Sequence, residues 1–253
     1  EINGKKVEFS SDLRAGIRRS FHRLSVDKVK GMTKMSFRNG SFMSEDNFQI
    51  ADLVESGESI LFIGKPGSGK TTHLRLAAVL ASMKKATFVL DGPGSELVGN
   101  DMSTIMGNVI PWVDEPEERA ANMIRIIESH SPQVMVTDEI LVAEEVRAAL
   151  FALERGVQYF ATVHGDSLQN ITDSNLSSPL IGGVGNVTLS DFDANRLGVE
   201  KSAQRQLKSS PFGFMVHVVS PKILVVYDLK TELRKFLLKD RRNPAYAEIR
   251  SIY

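Results

Sequence analysis

Apolar residues come along this chain in short, nearly unbroken runs, and between the runs they recur at every third or fourth position. The runs are Ser59-Ile60-Leu61-Phe62-Ile63, Ala86-Thr87-Phe88-Val89-Leu90, Gln133-Val134-Met135-Val136-Thr137 and Val157-Gln158-Tyr159-Phe160-Ala161-Thr162-Val163. Strands buried on both faces of a parallel sheet read this way, whereas strands with one wet face alternate. The stretches Thr72–Ser82, Arg119–Ser129 and Glu144–Glu154 read as helices. Asp114-Glu115-Pro116-Glu117-Glu118 gives the second of them a capping acid and an early proline. Strand and helix alternate to about residue 190, which predicts an α/β fold with a mainly parallel central sheet flanked by helices.

The two ends read differently. Residues 1–29 carry a polar start and then Leu13, Ile17, Phe21 and Leu24 at helical spacing, predicting an amphipathic helix that docks on the domain or on a neighbouring subunit. Strand-like segments near 32–38 and 59–63 flank a helix at Ile50–Glu55. Phe212–Val219 and Lys222–Asp228, separated by Ser220-Pro221, predict a C-terminal β-hairpin. The expected organisation is a small N-terminal helix-and-strand appendage over 1–48, a core over 49–229, and a charged tail over 230–253 that begins helical.

Between a strand-like run and a helix-like one stands Gly64-Lys65-Pro66-Gly67-Ser68-Gly69-Lys70-Thr71, a full G-x-x-x-x-G-K-[ST] phosphate loop. Its glycines let the backbone curl so that successive N–H groups and the helix N-terminus face one anion. Residues 64–71 and the adjoining Thr72 are therefore expected to hold the phosphates of ATP. Lys70 is expected on the outer phosphates, and the Thr71 hydroxyl on Mg²⁺, a hard cation that takes oxygen ligands.

Such a site also needs a carboxylate for the metal and a group to direct water. The run ending at Thr137 is followed by Asp138 and Glu139, with Asp138 placed to hold Mg²⁺ through its water shell and Glu139 to orient or deprotonate the attacking water. Thr137 is the one polar intrusion in its strand. The run ending at Val163 leads to His164-Gly165-Asp166, so His164 or Thr162 can sense the γ-phosphate. Asp91 and Glu96 follow the run ending at Leu90 and have two readings, further carboxylates at the same sheet edge or a solvated turn.

Asp138-Glu139-Ile140, Glu154-Arg155-Gly156-Val157-Gln158, Thr162–Asn170 and Leu180-Ile181-Gly182-Gly183-Val184 resemble the stage III sporulation protein AA family and its plastid relatives, the ycf-type ATPases. The likeness runs from about Lys30 to Val219. It implies a RecA-like P-loop NTPase related to secretion ATPases, hydrolysing ATP with Mg²⁺ as a homo-oligomeric, hexameric ring. Within it, Asp91–Glu96 resembles the acidic box and Ala161–Gly165 the histidine box of the secretion ATPases. Ring ATPases complete their sites with an arginine from the next subunit. Arg147 and Arg155 are the candidates, and each also fits an ordinary ion pair with an acid one helical turn away. The chain departs from the family in lacking a basic pair within Met106–Pro111 and in carrying Thr137 before the acids. The small basic nucleic-acid module that many plastid relatives carry is not visible in it.

With 253 residues, 42% hydrophobic and 25% charged, the chain can bury a sizeable core. Its formal net charge is zero. Nucleic acid is thus a possible partner that net charge does not support, because neutralising phosphates supplies much of such binding. Basic residues cluster at Arg14, Arg18, Arg19, His22 and Arg23 and again at Lys235, Lys239, Arg241 and Arg242, which as helix faces would simply be solvated. There is no cysteine, so no disulfide and no Cys-based metal site. No run approaches the roughly 18 apolar residues of a membrane span, so the chain reads as soluble, in the cytoplasm or the plastid stroma. It begins with Glu1 rather than methionine, as a processed form or an excised piece would, with any targeting segment out of view. Three functions fit: an ATP-driven motor or assembly ATPase, a nucleotide-dependent scaffold with little turnover, and a nucleic-acid motor.

Overall fold

The computed structural model describes residues 14–16, 23–29, 32–38, 49–91, 97–98, 109–113, 117–197, 202–239 and 244–251. Along the chain run β1 (Arg14–Gly16), β2 (Arg23–Val29), β3 (Met32–Arg38), α1 (Ala51–Glu55), β4 (Ile60–Ile63), α2 (Lys70–Ser82), β5 (Thr87–Asp91), β6 (Val109–Val113), α3 (Arg119–His130) and β7 (Val134–Thr137). They continue with α4 (Ala143–Glu154), β8 (Gln158–Thr162), α5 (Leu168–Asp173), β9 (Val184–Thr188), α6 (Asp191–Leu197), β10 (Ser202–Gln206), β11 (Phe214–Ser220), β12 (Ile223–Asp228), α7 (Leu233–Leu238) and β13 (Glu248–Ser251).

One large sheet organises the molecule, in the order β13-β12-β11-β4-β8-β7-β5-β6. From β11 to β6 the neighbours are parallel, and the hairpin partner β12 runs against them. All four residues of β4 and of β7, and all five of β5 and of β8, are buried. That is the physical reason their sequences read as unbroken apolar runs: alternate residues serve two different cores. Ile60, Phe62, Val89, Val134, Val136 and Phe160 pack with α1 and α2 on one face. Leu61, Ile63, Phe88, Leu90, Met135 and Tyr159 pack with α3, α4 and α7 on the other.

The structure overturns the N-terminal helix. Arg14–Gly16 and Arg23–Val29 are strands, joined with Met32–Arg38 in an antiparallel three-stranded sheet. Leu24 pairs with Phe37 and Val26 with Met35, a period-two pattern that spacing at Leu13, Ile17, Phe21 and Leu24 conceals. Arg14 and Arg23 therefore stand on strands, while Ile17, Arg18, Arg19, Phe21 and His22 lie outside the described residues.

At the other end the hairpin is present, but β11 is a full member of the sheet, paired in parallel with β4. The tail is helical at α7 and then adds a strand, β13, against β12. Arg250 of that strand makes a two-pronged pair with Asp52 of α1 at 2.6 and 2.8 Å, which joins the two ends of residues 49–251. Two further features were not read from sequence, the antiparallel pair of β9 with β10, which α6 separates along the chain, and the edge strand β6. Among the described residues no helix is long and apolar enough to cross a membrane.

Candidate nucleotide site

The phosphate loop turns from β4 into α2, at the C-terminal end of the parallel strands. Gly64, Gly67 and Gly69 take φ values of +151°, +78° and +103°, which L side chains resist. At Gly64 the constraint is also steric, since a Cβ would lie 2.5 Å from the Val218 carbonyl of β11 and 2.6 Å from Ser68 Oγ. Lys65, Pro66 and Gly67 are exposed at the crest, and Thr72 begins to turn into the protein. Lys70 Nζ donates to the carbonyls of Gly64 at 2.8 Å and Lys65 at 3.1 Å, so the ammonium lies folded along its own loop. Ser68 Oγ is buried with no hydrogen-bond partner among the described residues. Curled glycines, a buried hydroxyl left over, an ammonium and the N-terminus of a 13-residue helix fit a phosphate chain.

Strand β8 lies between β4 and β7, and it brings the remaining groups together. Thr71 Oγ1 donates to Asp138 Oδ2 at 2.9 Å, and Thr162 Oγ1 donates to Asp138 Oδ1 at 2.8 Å. Thr162 Oγ1 in turn accepts the Glu139 N–H at 2.9 Å. Glu139, 43% exposed, has φ +50°, an uncommon state for a non-glycine that costs on the order of 1–3 kcal/mol. Its Oε1 meets His164 Nε2. The donor set suits Mg²⁺, which needs one or two carboxylates besides phosphate and water rather than an all-protein cage. No such cage of three His, Asp or Glu occurs among the described residues.

Thr137, the polar intrusion, is accounted for: its hydroxyl is hydrogen-bonded to Tyr159 OH at 2.7 Å inside the sheet. Burial holds that phenol well above its usual pKa. Arg147 is an exposed residue paired with Glu144 at 2.6 Å. Arg155 caps the C-terminus of α4 with its guanidinium 3.3 Å from the centre of the Phe151 ring. That end of α4 leads into the start of β8, so within one chain Arg155 sits on the sheet edge opposite the phosphate loop.

Arg119 was missed by sequence reading. As first residue of α3, with its side chain 12% exposed, it donates from Nη1 to the carbonyls of Asp138 at 3.3 Å and Glu139 at 3.4 Å and pairs with Glu145 at 3.5 Å. A cation at a helix N-terminus opposes the macrodipole, and that misfit was the available signal. His217 of β11 was also missed. It pairs with Ile63, the last residue of β4 before the phosphate loop, and burial lowers its pKa, with Asp166 opposing and Lys65 reinforcing that shift.

Asp91 ends β5 as a buried carboxylate rather than in a solvated turn, and Oδ2 accepts the N–H groups of Leu97 and Val98, both at 2.9 Å. Glu96 lies outside the described residues. Burial pushes Asp91 from 3.8 up to about 6, with Asp138 adding to the rise and the two N–H bonds and Arg75 opposing it. The raised value favours the protonated form in the folded state, so its stabilisation is full below 3.8 and is lost as pH rises through about 6. Asp91→Asn keeps an acceptor without the titration. Urea melts should find the variant gaining on the wild type by roughly 2 kcal/mol between pH 4.5 and 7.5.

A phosphate loop between β4 and α2, an acid pair ending β7, and β8 placed between those strands define a RecA-like P-loop NTPase fold. Over residues 49–184 the chain matches the family described as sporulation stage III, protein AA, and it belongs to that family. It is 34% identical over 231 residues to the ycf45 protein of Porphyra purpurea, covering 88% of this chain and 41% of that protein. It is likewise 34% identical over 231 residues to SEEDLING PLASTID DEVELOPMENT 1 of Arabidopsis thaliana, covering 87% of this chain and 33% of that one. The chain thus spans well under half the length of these two relatives. Among solved structures it is similar to the Legionella pneumophila ATPase DotB, at 18% identity and a TM-score of 0.43, over 61% of this chain and 47% of that one.

Proposed function

We propose that this chain binds Mg²⁺-ATP and hydrolyses it, and that it works as one subunit of a hexameric ring motor or assembly ATPase. The observation that carries the reading is the junction at one sheet edge of Thr71, Asp138, Thr162, Glu139 and His164, beside the phosphate loop. In this reading the loop amides of residues 64–71 and Lys70 bind the phosphates, and Lys70 leaves its own carbonyls to do so. Thr71 and Asp138 would hold Mg²⁺, which supplies charge neutralisation on the phosphates. Glu139 orients and deprotonates water, and His164, in contact with Glu139, reports the γ-phosphate to it. Thr72 closes the first turn of the binding helix.

The ring is supported by what stands exposed next to the site. Leu141 and Val142, which follow the acid pair after the buried Ile140, are 51% and 46% exposed, an apolar surface that a neighbouring subunit can cover. Arg147, exposed on the helix that follows and ion-paired with Glu144, and Arg155, stacked on Phe151, remain the two candidates to reach a neighbour's phosphates. The name of the Arabidopsis relative refers to plastid development, and a stromal or cytoplasmic setting goes with this reading. Steady-state phosphate release from Mg²⁺-ATP, with mass in solution, tests it. Turnover by a hexamer is the expected result, and a monomer that binds ATP without turnover would leave the scaffold. Stimulation by single-stranded DNA or RNA that fades with salt would select the nucleic-acid motor.

A further inference from the structure

The segment Asp138–Val142 is gripped on both its carbonyls and its amides. Arg119 Nη1 serves the Asp138 and Glu139 carbonyls and Glu145 Oε1. Glu145, with a side chain 4% exposed, uses Oε2 to accept the Leu141 N–H at 2.6 Å and the Val142 N–H at 3.3 Å. The Arg119 contacts are long at 3.3–3.5 Å, but they set a full charge against two carbonyl dipoles and a buried carboxylate, the kind of bond that desolvation strengthens. Between the two grips Glu139 is held at φ +50°. A non-glycine keeps that conformation only where its surroundings over-determine it, and the conformation sets the direction of the Glu139 Cα–Cβ bond.

We infer that Arg119 is a positioning residue: it holds the Asp138–Glu139 peptides in the left-handed turn that aims the Glu139 carboxylate at the attacking water. The inference rests on the proposed role of Glu139 in ATP hydrolysis. Arg119 makes all three contacts through Nη1, while its Nε is buried with no hydrogen-bond partner among the described residues. The competing view is a buried ion pair that merely supports the fold, whose loss would lower stability and turnover together.

Four forms of the whole chain separate these views: wild type, Arg119→Met, Arg119→Lys, and the double variant Arg119→Met with Glu145→Gln. The double variant leaves no unpaired buried charge and keeps an acceptor for the Leu141 and Val142 amides. Expected for Arg119→Met is a fall in kcat of about 10- to 100-fold, as small misplacements of a reacting group produce. KM and the Kd for a fluorescent ATP analogue should stay within about threefold of wild type, and Arg119→Lys should recover part of the loss. In the double variant the thermal midpoint returns and kcat does not. Wild-type kcat in Arg119→Met, or recovery of kcat together with stability in the double variant, overturns the inference while leaving ATP hydrolysis intact. A wild-type chain without turnover overturns the proposed function and this inference with it.

Discussion

Glu139→Gln is expected to lower turnover by about 10²- to 10⁴-fold, the usual worth of a positioned general base, while leaving ATP bound. The substitution is nearly isosteric. It keeps the backbone N–H that donates to Thr162, and it leaves untouched the Thr71 and Asp138 pair and the Lys70 ammonium. It removes the carboxylate that takes a proton from water. Phosphate release and equilibrium binding of a fluorescent ATP analogue, measured on the same preparation, check it. A variant with more than about a tenth of wild-type turnover would mean that Glu139 is a structural residue of the αL turn and that another group directs the water. The relation to Arg119 adds a constraint: if Arg119 acts through Glu139, adding Arg119→Met to Glu139→Gln should cost little more in kcat, because residues that act as a unit are not additive.

Lys70→Ala should abolish nucleotide binding rather than catalysis alone, weakening affinity by at least about 100-fold. A positive charge against phosphate in a cradle of amides contributes several charge-assisted hydrogen bonds, each on the order of 1.5–3 kcal/mol. The fold should barely notice. Lys70 donates to two loop carbonyls, one of them exposed, and water can replace it there at a cost of about 1 kcal/mol or less. Thermal melts therefore give a clean reading: Mg²⁺-ATP should raise Tm in the wild type and not in the variant, since a ligand stabilises only the state it binds. A variant that melts several degrees lower without nucleotide would reassign Lys70 to holding the loop together.

These expectations could be formed because the phosphate loop and the acid pair are contiguous in sequence. Eight consecutive residues carry the loop's backbone freedom, its ammonium and its hydroxyl. Likewise an apolar run that ends in two carboxylates marks a parallel strand whose end opens on a ligand. The helices α3 and α4 were legible because each buries one face and exposes another, whereas α2 is buried or half-buried along its whole length. Arg119 was not legible. It lies 19 and 20 residues before the carbonyls it serves, directly after a run of acids that reads as a helix start. Thr137 looked like a departure until Tyr159, 22 residues on, supplied its partner. The N-terminal helix failed for a related reason: Leu13, Ile17, Phe21 and Leu24 satisfy a helical period, but strands are chosen by partners, and Met32–Arg38 is the partner of Arg23–Val29.

By itself, then, the sequence determined the α/β class, the phosphate loop, the acid pair and the strand that ends at Thr162 and His164, because each is written in the chemistry and periodicity of adjacent residues. The tertiary structure alone decided that β8 lies between β4 and β7 and that Thr162 bridges Asp138 and Glu139. It also decided that Asp91 is buried, that Arg119 and Glu145 hold the turn at Glu139, and that the chain's end returns as β13 to pin Asp52. Each of these depends on which distant segments pair across the sheet, and strand pairing is set by the burial of whole faces, which no local pattern contains.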